Sequence, residues 1–460
     1  MQHGLKYRGV IAISCLIILG GCNPHKINTN PAPNIQAQVK AYSWAEGGAT
    51  SAANKTQPWW QEFKRPELGQ MIDKAFTANQ DLAQALAQVK QARALTVSTG
   101  SALYPEVSIE GSGQGKWNKG HRQRGTAAAG GALQWELDFF NRLEAARKSD
   151  KLAILAREED AAALKLSLSS EVANAYFGAI AAHKTLELLQ QQLKLNKEFL
   201  ELTELRLKEG VGTTLETLQQ QNLLAESEEL MPAARAELRV FENRLDVLLG
   251  EMPDGKDRVN SAEDLSFEQQ LPALGVPSDL LLNRPNLRVI KTELVAADAD
   301  IAEAIAARLP RVTLQGSHNF SDSSAFTGPV SILLGSFVQP LLDWGKHRAE
   351  VERNKYLYEE KLAEFTQAYL QAAEEVENTA YQEEQQRQLL KNLSYRKEIM
   401  QQALNAAKER YQQGVDDYLP VLTALQEMNK IERMLIAENL KLVNFRITLH
   451  RAIGGSATRS

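Results

Sequence analysis

The chain has 460 residues, a formal net charge of -5 and no run of basic residues, so nucleic-acid binding is not indicated. Ala, Leu, Gln and Glu are abundant, which favours long helices over sheets. The seven His residues are scattered, without an HExxH motif or a His/Cys cluster at metal-ligand spacing, so no metal site is predicted.

Residues 1–21 have the pattern of an export signal peptide. Lys6 and Arg8 supply a positive start, an apolar run follows, and Leu19-Gly20-Gly21-Cys22 ends it. This ending resembles the lipobox of bacterial lipoproteins, which implies cleavage before Cys22 and a diacyl lipid on its thiol. Asn23 after the cysteine fits delivery to the outer membrane. The alternative is an ordinary secretory signal with an incidental cysteine.

Residues 22–66 are predicted to form a lipidated tether, because most of this stretch is rich in Asn, Pro, Ala, Gly, Ser and Thr and has no periodicity. Trp59-Trp60 marks the end of the polar part. A first helix is predicted from about Glu67 to Ser101. Tyr104-Pro105 ends it, because proline has no amide hydrogen and disfavours helix in the residue before it.

Two segments alternate between apolar and polar residues and predict β-hairpins, at about 105–138 and 310–342. Their polar loops are predicted at 118–125 and 321–328, which leaves strands of about ten residues. That length matches the ~9–11 residues that a tilted strand needs to cross a bilayer. The alternative is a soluble hairpin that caps a helical domain.

Two observations favour the membrane alternative for the hairpins. The export signal directs the chain to the outer membrane, and Trp117 and Trp135 lie near strand ends, where an aromatic girdle would lie. Four strands cannot close a barrel, and lipid does not tolerate open sheet edges. The chain must therefore oligomerise if its strands span a membrane.

Two very long helices are predicted after the hairpins. Asp138 and Asp343 are suited to cap their first turns. Periodic sequence then continues to Gly210 and Gly414, interrupted only by Gly178, so each helix has about 70 residues.

Shorter return helices are predicted at about 215–249 and 419–453, each ending at a glycine. Pro232 is expected to kink or interrupt the first of them. The first helix of the chain and the matching segment at about 279–309 are expected to stack end to end on these return helices.

The chain contains two copies of one structural unit, because matching residues recur about 204 positions apart. Examples are Glu171-Val172 with Glu375-Val376, Leu238 with Leu442, Phe241 with Phe445 and Gly250 with Gly454. We therefore assign repeat 1 to 67–255, a linker to 256–277 and repeat 2 to 278–460. The turns between long and return helices match as well, at Gly210-Val211 and Gly414-Val415.

Polar residues after each tip glycine can cap the return helix that follows. Thr213 and Glu216 form a capping-box pattern in repeat 1. In repeat 2, Asp416 or Asp417 can cap, and Pro420 is acceptable because it lies in the first helical turn.

An ordered set of motifs resembles the TolC-like outer-membrane factor family, in its lipoprotein branch, over nearly all of the mature chain. The set comprises the lipobox, Trp59-Trp60, Trp135-Glu-Leu-Asp138, Arg284-Pro-Asn-Leu287, Ala296-Ala-Asp-Ala-Asp-Ile301 and the paired Gly-Val tips. The resemblance implies a mainly α fold with a membrane β-barrel portion. Three chains would form a homotrimer, with four strands each in a 12-stranded β-barrel and long helical hairpins in a periplasmic α-barrel of twelve helices.

The resemblance also implies partners. The tips at Gly210, Val211, Gly414 and Val415 would contact a periplasmic adaptor (membrane fusion) protein, and through it an inner-membrane transporter. A compatible alternative is that the two glycines only end helices.

Relatives often carry carboxylates early in the last helix, where they line the closed periplasmic aperture. This chain has Pro420 and Thr423 at comparable positions. An acidic ring would therefore come from Asp416 and Asp417, or these two residues only cap a helix beside solvent.

Together these features predict the exit duct of a tripartite efflux or export system, lipid-anchored in the bacterial outer membrane and extending into the periplasm. No cofactor is predicted beyond the covalent lipid on Cys22. The alternative is a non-channel helical scaffold lipoprotein, which has no need of two strand pairs at equivalent positions. An enzyme is disfavoured because polar residues recur as caps and helix faces rather than as nucleophile-base sets. Drugs, metals, lipids and secreted peptides all remain open as cargo.

Overall fold

The computed structural model describes residues 24–34, 58–118, 121–260, 262–267, 271–272, 280–323 and 326–455. The predicted signal peptide and Cys22 lie outside these residues, as do most of the tether and parts of the linker at 256–277. The chain divides into two compact units. Unit 1 comprises Met1–Ala37, Ala85–Asp160 and Asn286–Tyr369, and unit 2 comprises Gln38–Gln84, Ala161–Pro285 and Leu370–Ser460.

A 3₁₀ turn at Trp59–Phe63 precedes the helices and strands. These are, in chain order, α1 (Pro66–Ala78), α2 (Gln80–Ser101), β1 (Glu106–Asn118), β2 (His121–Leu137), α3 (Arg142–Lys208), α4 (Thr214–Leu248), α5 (Leu280–Asn283), α6 (Pro285–Ala306), β3 (Arg311–Ser323), β4 (Phe326–Val338), α7 (Lys346–Gln412) and α8 (Leu419–Ala452). Within the described ranges, no helix combines the length and the apolar character that a membrane crossing requires.

The predicted long helices are confirmed. Helices α3 and α7 have 67 residues each, and the return helices α4 and α8 begin and end within one residue of their predicted limits. Asp138 accepts hydrogen bonds from the backbone N–H groups of Leu143 (3.1 Å) and Glu144 (2.8 Å) at the start of α3. Asp343 accepts one from His347 N–H (2.9 Å) at the start of α7.

The predicted single first helix is wrong, and so is an interruption of the first return helix at Pro232. The first helix is divided into α1 and α2 at Asn79, whose backbone is extended and whose Oδ1 accepts hydrogen bonds from the next amides. Helix α4 is not interrupted at Pro232. Met231 and Ala234 on either side of this proline pack against Leu189, and this buried contact holds the helix together despite the missing donor.

The four strands form one antiparallel sheet in unit 1, in the order β1-β2-β3-β4. The predicted hairpins are confirmed, but the strands have 13, 17, 13 and 13 residues and extend through most of the predicted loops. Continued pairing satisfies backbone groups that loops would leave without partners. Strands β1 and β4 are the edges of this sheet, and Ile109 and Leu333 on them are 92% and 80% exposed.

The two tryptophans of the first hairpin differ in environment. Trp117 is exposed on β1, as the predicted girdle position requires. Trp135 is partly buried instead, and its Nε1 donates a hydrogen bond to the carbonyl oxygen of Leu103 (3.0 Å). A buried indole N–H needs such a partner, so Trp135 packs within unit 1 rather than standing free at a strand end.

The C-terminal end of α4 contacts the break between α1 and α2, and the C-terminal end of α8 contacts the break between α5 and α6. The expected end-to-end arrangement requires both contacts. Asn79 Nδ2 donates to the carbonyl oxygen of Leu248 (3.3 Å) at the end of α4. Gly250 has φ +72°, and a Cβ there would lie 2.4 Å from the carbonyl oxygen of Ala78. Gly454, the equivalent glycine of repeat 2, would place a Cβ 2.5 Å from the carbonyl oxygen of Asn283. Both contacts require glycine.

The core of unit 2 includes the Trp59–Phe63 turn, the last part of the predicted tether. Trp59, Trp60 and Phe63 are buried among residues of α1, α3, α4 and α8. Trp59 Nε1 donates to Ser169 Oγ (3.1 Å), and its ring stacks on His450 at 5.5 Å between centroids. Burial of three large aromatic rings provides most of the attraction that holds this turn.

Glu62 of the same turn is part of a buried charge cluster. Its carboxylate accepts a hydrogen bond from Arg446, and its Oε2 lies 2.7 Å from His450 Nε2. Arg446 also donates to Glu383 (2.7 Å from Nη2 to Oε1), and both of those side chains are fully buried. Burial raises the pKa of Glu62, but His450 and Arg446 outweigh it and hold the pKa below its usual value of 4.5.

This cluster predicts an acid-sensitive contact. Because the folded-state pKa of Glu62 is lowered, its stabilising effect is fully present above pH 4.5 and is lost as the pH falls through the lower folded value. Hydrogen exchange at Trp59–Phe63 should therefore accelerate below pH 4.5, relative to intrinsic rates, in the wild type. In Glu62→Gln that acid-dependent step should be absent. An identical step in both proteins would assign it to another group.

Candidate functional site

Both helical tips end in the same backbone motif. Gly210 has φ +75°, its N–H donates to Leu207 O, and Val211 N–H donates to Arg206 O (2.9 Å). Gly414 has φ +70°, and Val415 N–H donates to the carbonyl oxygen of Arg410 (2.9 Å). These bonds form Schellman motifs, in which a left-handed glycine ends the helix. Both glycines therefore end helices, as one of the two sequence interpretations requires.

The predicted adaptor-contacting valines are exposed at these tips. Val211 and Val415 are 64% and 59% exposed, and further apolar side chains are exposed beside them on the return helices, namely Leu215, Leu218 and Leu419. Exposed apolar groups in one place are typical of a surface that binds another protein.

A buried cluster packs the two tips together behind this surface. Its members come from all four helices that meet there, and they are Phe199, Leu223, Leu404, Tyr411, Tyr418, Val421, Leu422, Ala424, Leu425 and Met428. Tyr411 and Tyr418 are its largest fully buried members, with ring centroids 5.1 Å apart.

Three polar contacts connect the tips across this cluster. The hydroxyl of Tyr411 donates to Glu216 Oε2 (3.0 Å), and Arg206 Nη1 donates to the carbonyl oxygen of Tyr411 (3.3 Å). The hydroxyl of Tyr418 donates to Gln220 Oε1 (2.5 Å). The Arg206 guanidinium also lies over the Tyr411 ring, 4.3 Å from its centroid. We call the buried residues of the preceding paragraph, together with Arg206, Glu216 and Gln220, the tip cluster.

The two phenols of the tip cluster act as donors at neutral pH. Burial, followed by the hydrogen bond and charge of Glu216, raises the pKa of Tyr411 to about 12. Burial likewise raises the pKa of Tyr418. A protonated Tyr411 beside a carboxylate makes a charge-assisted hydrogen bond, which is stronger than a neutral one.

The predicted capping by aspartates in repeat 2 is wrong. Helix α8 begins after Tyr418, without a side-chain cap. The carboxylate of Asp416 instead bonds Arg410, at 2.5 and 2.8 Å, and these bonds lower the pKa of Asp416. Asp417 is exposed. In repeat 1 the Thr213 half of the predicted capping box is confirmed, because Thr213 Oγ1 accepts a hydrogen bond from Glu216 N–H (3.3 Å).

The contacts of the tip cluster were not predicted from the sequence. Glu216 was predicted only as half of a capping box, whereas its side chain binds Tyr411 of the other repeat. One available signal was the pair of tyrosines on either side of Gly414-Val415, since tyrosines that are buried need partners for their hydroxyls.

Comparisons with known proteins agree with this architecture. The family model described as outer membrane efflux protein matches residues 71–251 and 276–455. The pyoverdine export outer membrane protein OpmQ of Pseudomonas aeruginosa is 28% identical, over 98% of this chain and 97% of the relative. The cation efflux system protein CusC of Escherichia coli K12 is 27% identical, over 95% of this chain and 97% of the relative.

A solved structure of the outer-membrane channel OprN confirms the predicted fold class. It superposes with a TM-score of 0.83 at 27% identity, and covers 93% of this chain and 99% of the OprN chain. With family matches in both predicted repeats and the same fold over nearly the whole chain, this protein belongs to the outer membrane efflux protein family.

Proposed function

We propose that this protein is the outer-membrane exit channel of a tripartite export system, and that the tip cluster keeps its periplasmic end closed. The observation that carries the gating proposal is the buried connection between the two repeats at the tips, through Tyr411 with Glu216 and Tyr418 with Gln220. A closed state held by a few polar contacts can be opened by a partner that binds the same tips more strongly in another arrangement.

Homotrimer formation is supported by the sheet of unit 1. Among the described strands, β1 pairs only with β2 and β4 only with β3, so each leaves its outer edge unpaired. Both strands also carry exposed apolar side chains. In a bilayer, open edges must be paired, and β1 of one copy can pair with β4 of the next. A helical scaffold lipoprotein, the alternative function, does not account for such a sheet.

The proposed partners are a periplasmic adaptor and an inner-membrane transporter, together with outer-membrane lipid. The exposed apolar residues beside Val211 and Val415 are the proposed adaptor-binding surface. The proposed lipid on Cys22 would anchor the chain in addition to the barrel. A Cys22→Ser protein should accordingly stay in the membrane fraction, and its recovery as a soluble monomer would contradict the barrel.

Planar-bilayer recording of the detergent-extracted protein tests the channel function. We expect small, cation-selective openings, with Asp416 and Asp417 of each chain near the periplasmic aperture. Asp416→Asn and Asp417→Asn each lower the local negative charge by one unit, and Asp416→Asn also removes the carboxylate that pairs with Arg410. Each should therefore reduce cation selectivity.

These two substitutions remove the same charge one residue apart, so each serves as the control for the other. Equal selectivity in wild type and both variants would contradict the aperture assignment. Absence of conductance from folded oligomer, even with the tip cluster disrupted, would contradict the channel itself.

A further inference from the structure

The two return helices carry buried acidic side chains on one and buried basic side chains on the other, at equivalent positions. Glu242 and Asp246 on α4 lie 204 positions before Arg446 and His450 on α8. All four side chains are buried. A buried charge needs a partner, so each pair must be matched by an oppositely charged or hydrogen-bonding group.

On α4, the acidic pair binds the segment at 251–260, which leads from repeat 1 toward repeat 2. Glu242 accepts hydrogen bonds from the backbone N–H groups of Arg258 (2.7 Å) and Val259 (3.4 Å). Asp246 accepts one from Arg258 Nε (2.7 Å).

On α8, the basic pair binds the segment that leads into repeat 1. Arg446 and His450 both contact Glu62 of the Trp59–Phe63 turn, as described above. Each return helix therefore binds the segment that enters the other repeat, and it does so with the same two helical positions.

We propose that the opposite charges at these equivalent positions select which entering segment docks on which repeat. Helix α8 accepts the turn that carries Glu62, and α4 accepts the 251–260 segment through its buried-side cation Arg258. The repeats share their architecture, so shape alone distinguishes the two docking positions poorly. An exchange would bury Glu62 against two carboxylates and Arg258 against Arg446, and like charges in a buried contact exclude the wrong partner.

Charge reversal tests this selection in the full-length, detergent-extracted protein, with hydrogen exchange followed by mass spectrometry. Arg258→Glu should raise exchange of the 251–260 amides by about tenfold or more, because it opposes Glu242 and Asp246. Adding Asp246→Lys should restore most of the protection, since the charges are again complementary. Exchange at Trp59–Phe63 should stay unchanged in both variants.

Arg239→Glu is the matched control, because Arg239 also contacts this segment, at Lys256 O and Asp257, but on the exposed side. An exposed ion pair contributes little, so protection at 251–260 should remain within about twofold of wild type. Neutral Arg258→Gln provides a milder variant in case Arg258→Glu does not fold. It should raise exchange at 251–260 and nowhere else.

Two outcomes would overturn the proposal. One is a double variant, Arg258→Glu with Asp246→Lys, in which protection is lost further than in Arg258→Glu alone. The other is an Arg239→Glu protein that loosens 251–260 as much as Arg258→Glu does, because the buried positions would then have no special role.

Discussion

Replacement of Arg446 by Met is expected to destabilise the helical core by about 3 kcal/mol, at the low end of the range for breaking a buried ion pair. The change removes the guanidinium that holds Glu62 and leaves Arg387 as the cationic partner of the fully buried Glu383 within the part of the chain that the structure describes. A loss of this size lowers a melting temperature by roughly 6–12 °C in a domain of ~200 residues. The loss of helical circular dichroism on heating measures it.

Arg451→Met is the control for this destabilisation. Arg451 lies on the same helix and pairs with Glu375 at 3.0 Å, but its side chain is 46% exposed. Its replacement should change the melting temperature by only a degree or two, because exposed ion pairs contribute little. Equal shifts in the two variants would show that burial of the Arg446 cluster is not what matters.

Tyr411→Phe is expected to raise the probability of channel opening. The change removes the hydroxyl that binds Glu216 and keeps the buried ring and its contact with Arg206. A hydrogen bond to a charged group contributes about 1.5–3 kcal/mol, so the opening equilibrium of each chain should shift about 10- to 150-fold. Single-channel recording should show larger and longer openings than in wild type.

Tyr395→Phe is the matched control, since Tyr395 lies on the same long helix α7 and is 65% exposed. Its recordings should be indistinguishable from wild type. If Tyr411→Phe also conducts like wild type, the Tyr411–Glu216 bond does not hold the tips closed. The melting temperature should be followed in parallel, so that a leak from general unfolding is recognised.

Local signals made much of this fold predictable. The spacing of apolar residues located the long helices and both hairpins. Asp138 and Asp343 marked helix starts because an aspartate cap needs only the backbone amides of the next turn. Gly210 and Gly414 marked helix ends because the left-handed backbone conformation there is unfavourable for residues that have a side chain. The repeat offset of about 204 residues then related the two halves of the chain.

The strand ends and the break at Asn79 were less predictable. At the strand ends the sequence does not strongly favour strand over loop, and at Asn79 it does not strongly favour a break over a continuous helix. Polar residues at 118–125 are typical of a loop, yet the ladder continues to the pair Asn118 and His121. Backbone pairing, which every residue except proline can make in full, decided the strand ends.

The sequence by itself determined the elements, their repetition and the tip turns, because each depends on neighbours within a few residues. Only the tertiary structure decided which side chains meet: Tyr411 with Glu216, 195 positions away, and Arg446 with Glu62, 384 positions away. The contact of Asp416 with Arg410, in place of a cap on α8, is local by comparison, because it spans one tip turn. A charged or hydroxyl group takes the partner that folding brings within reach, and sequence spacing does not encode contacts over such separations.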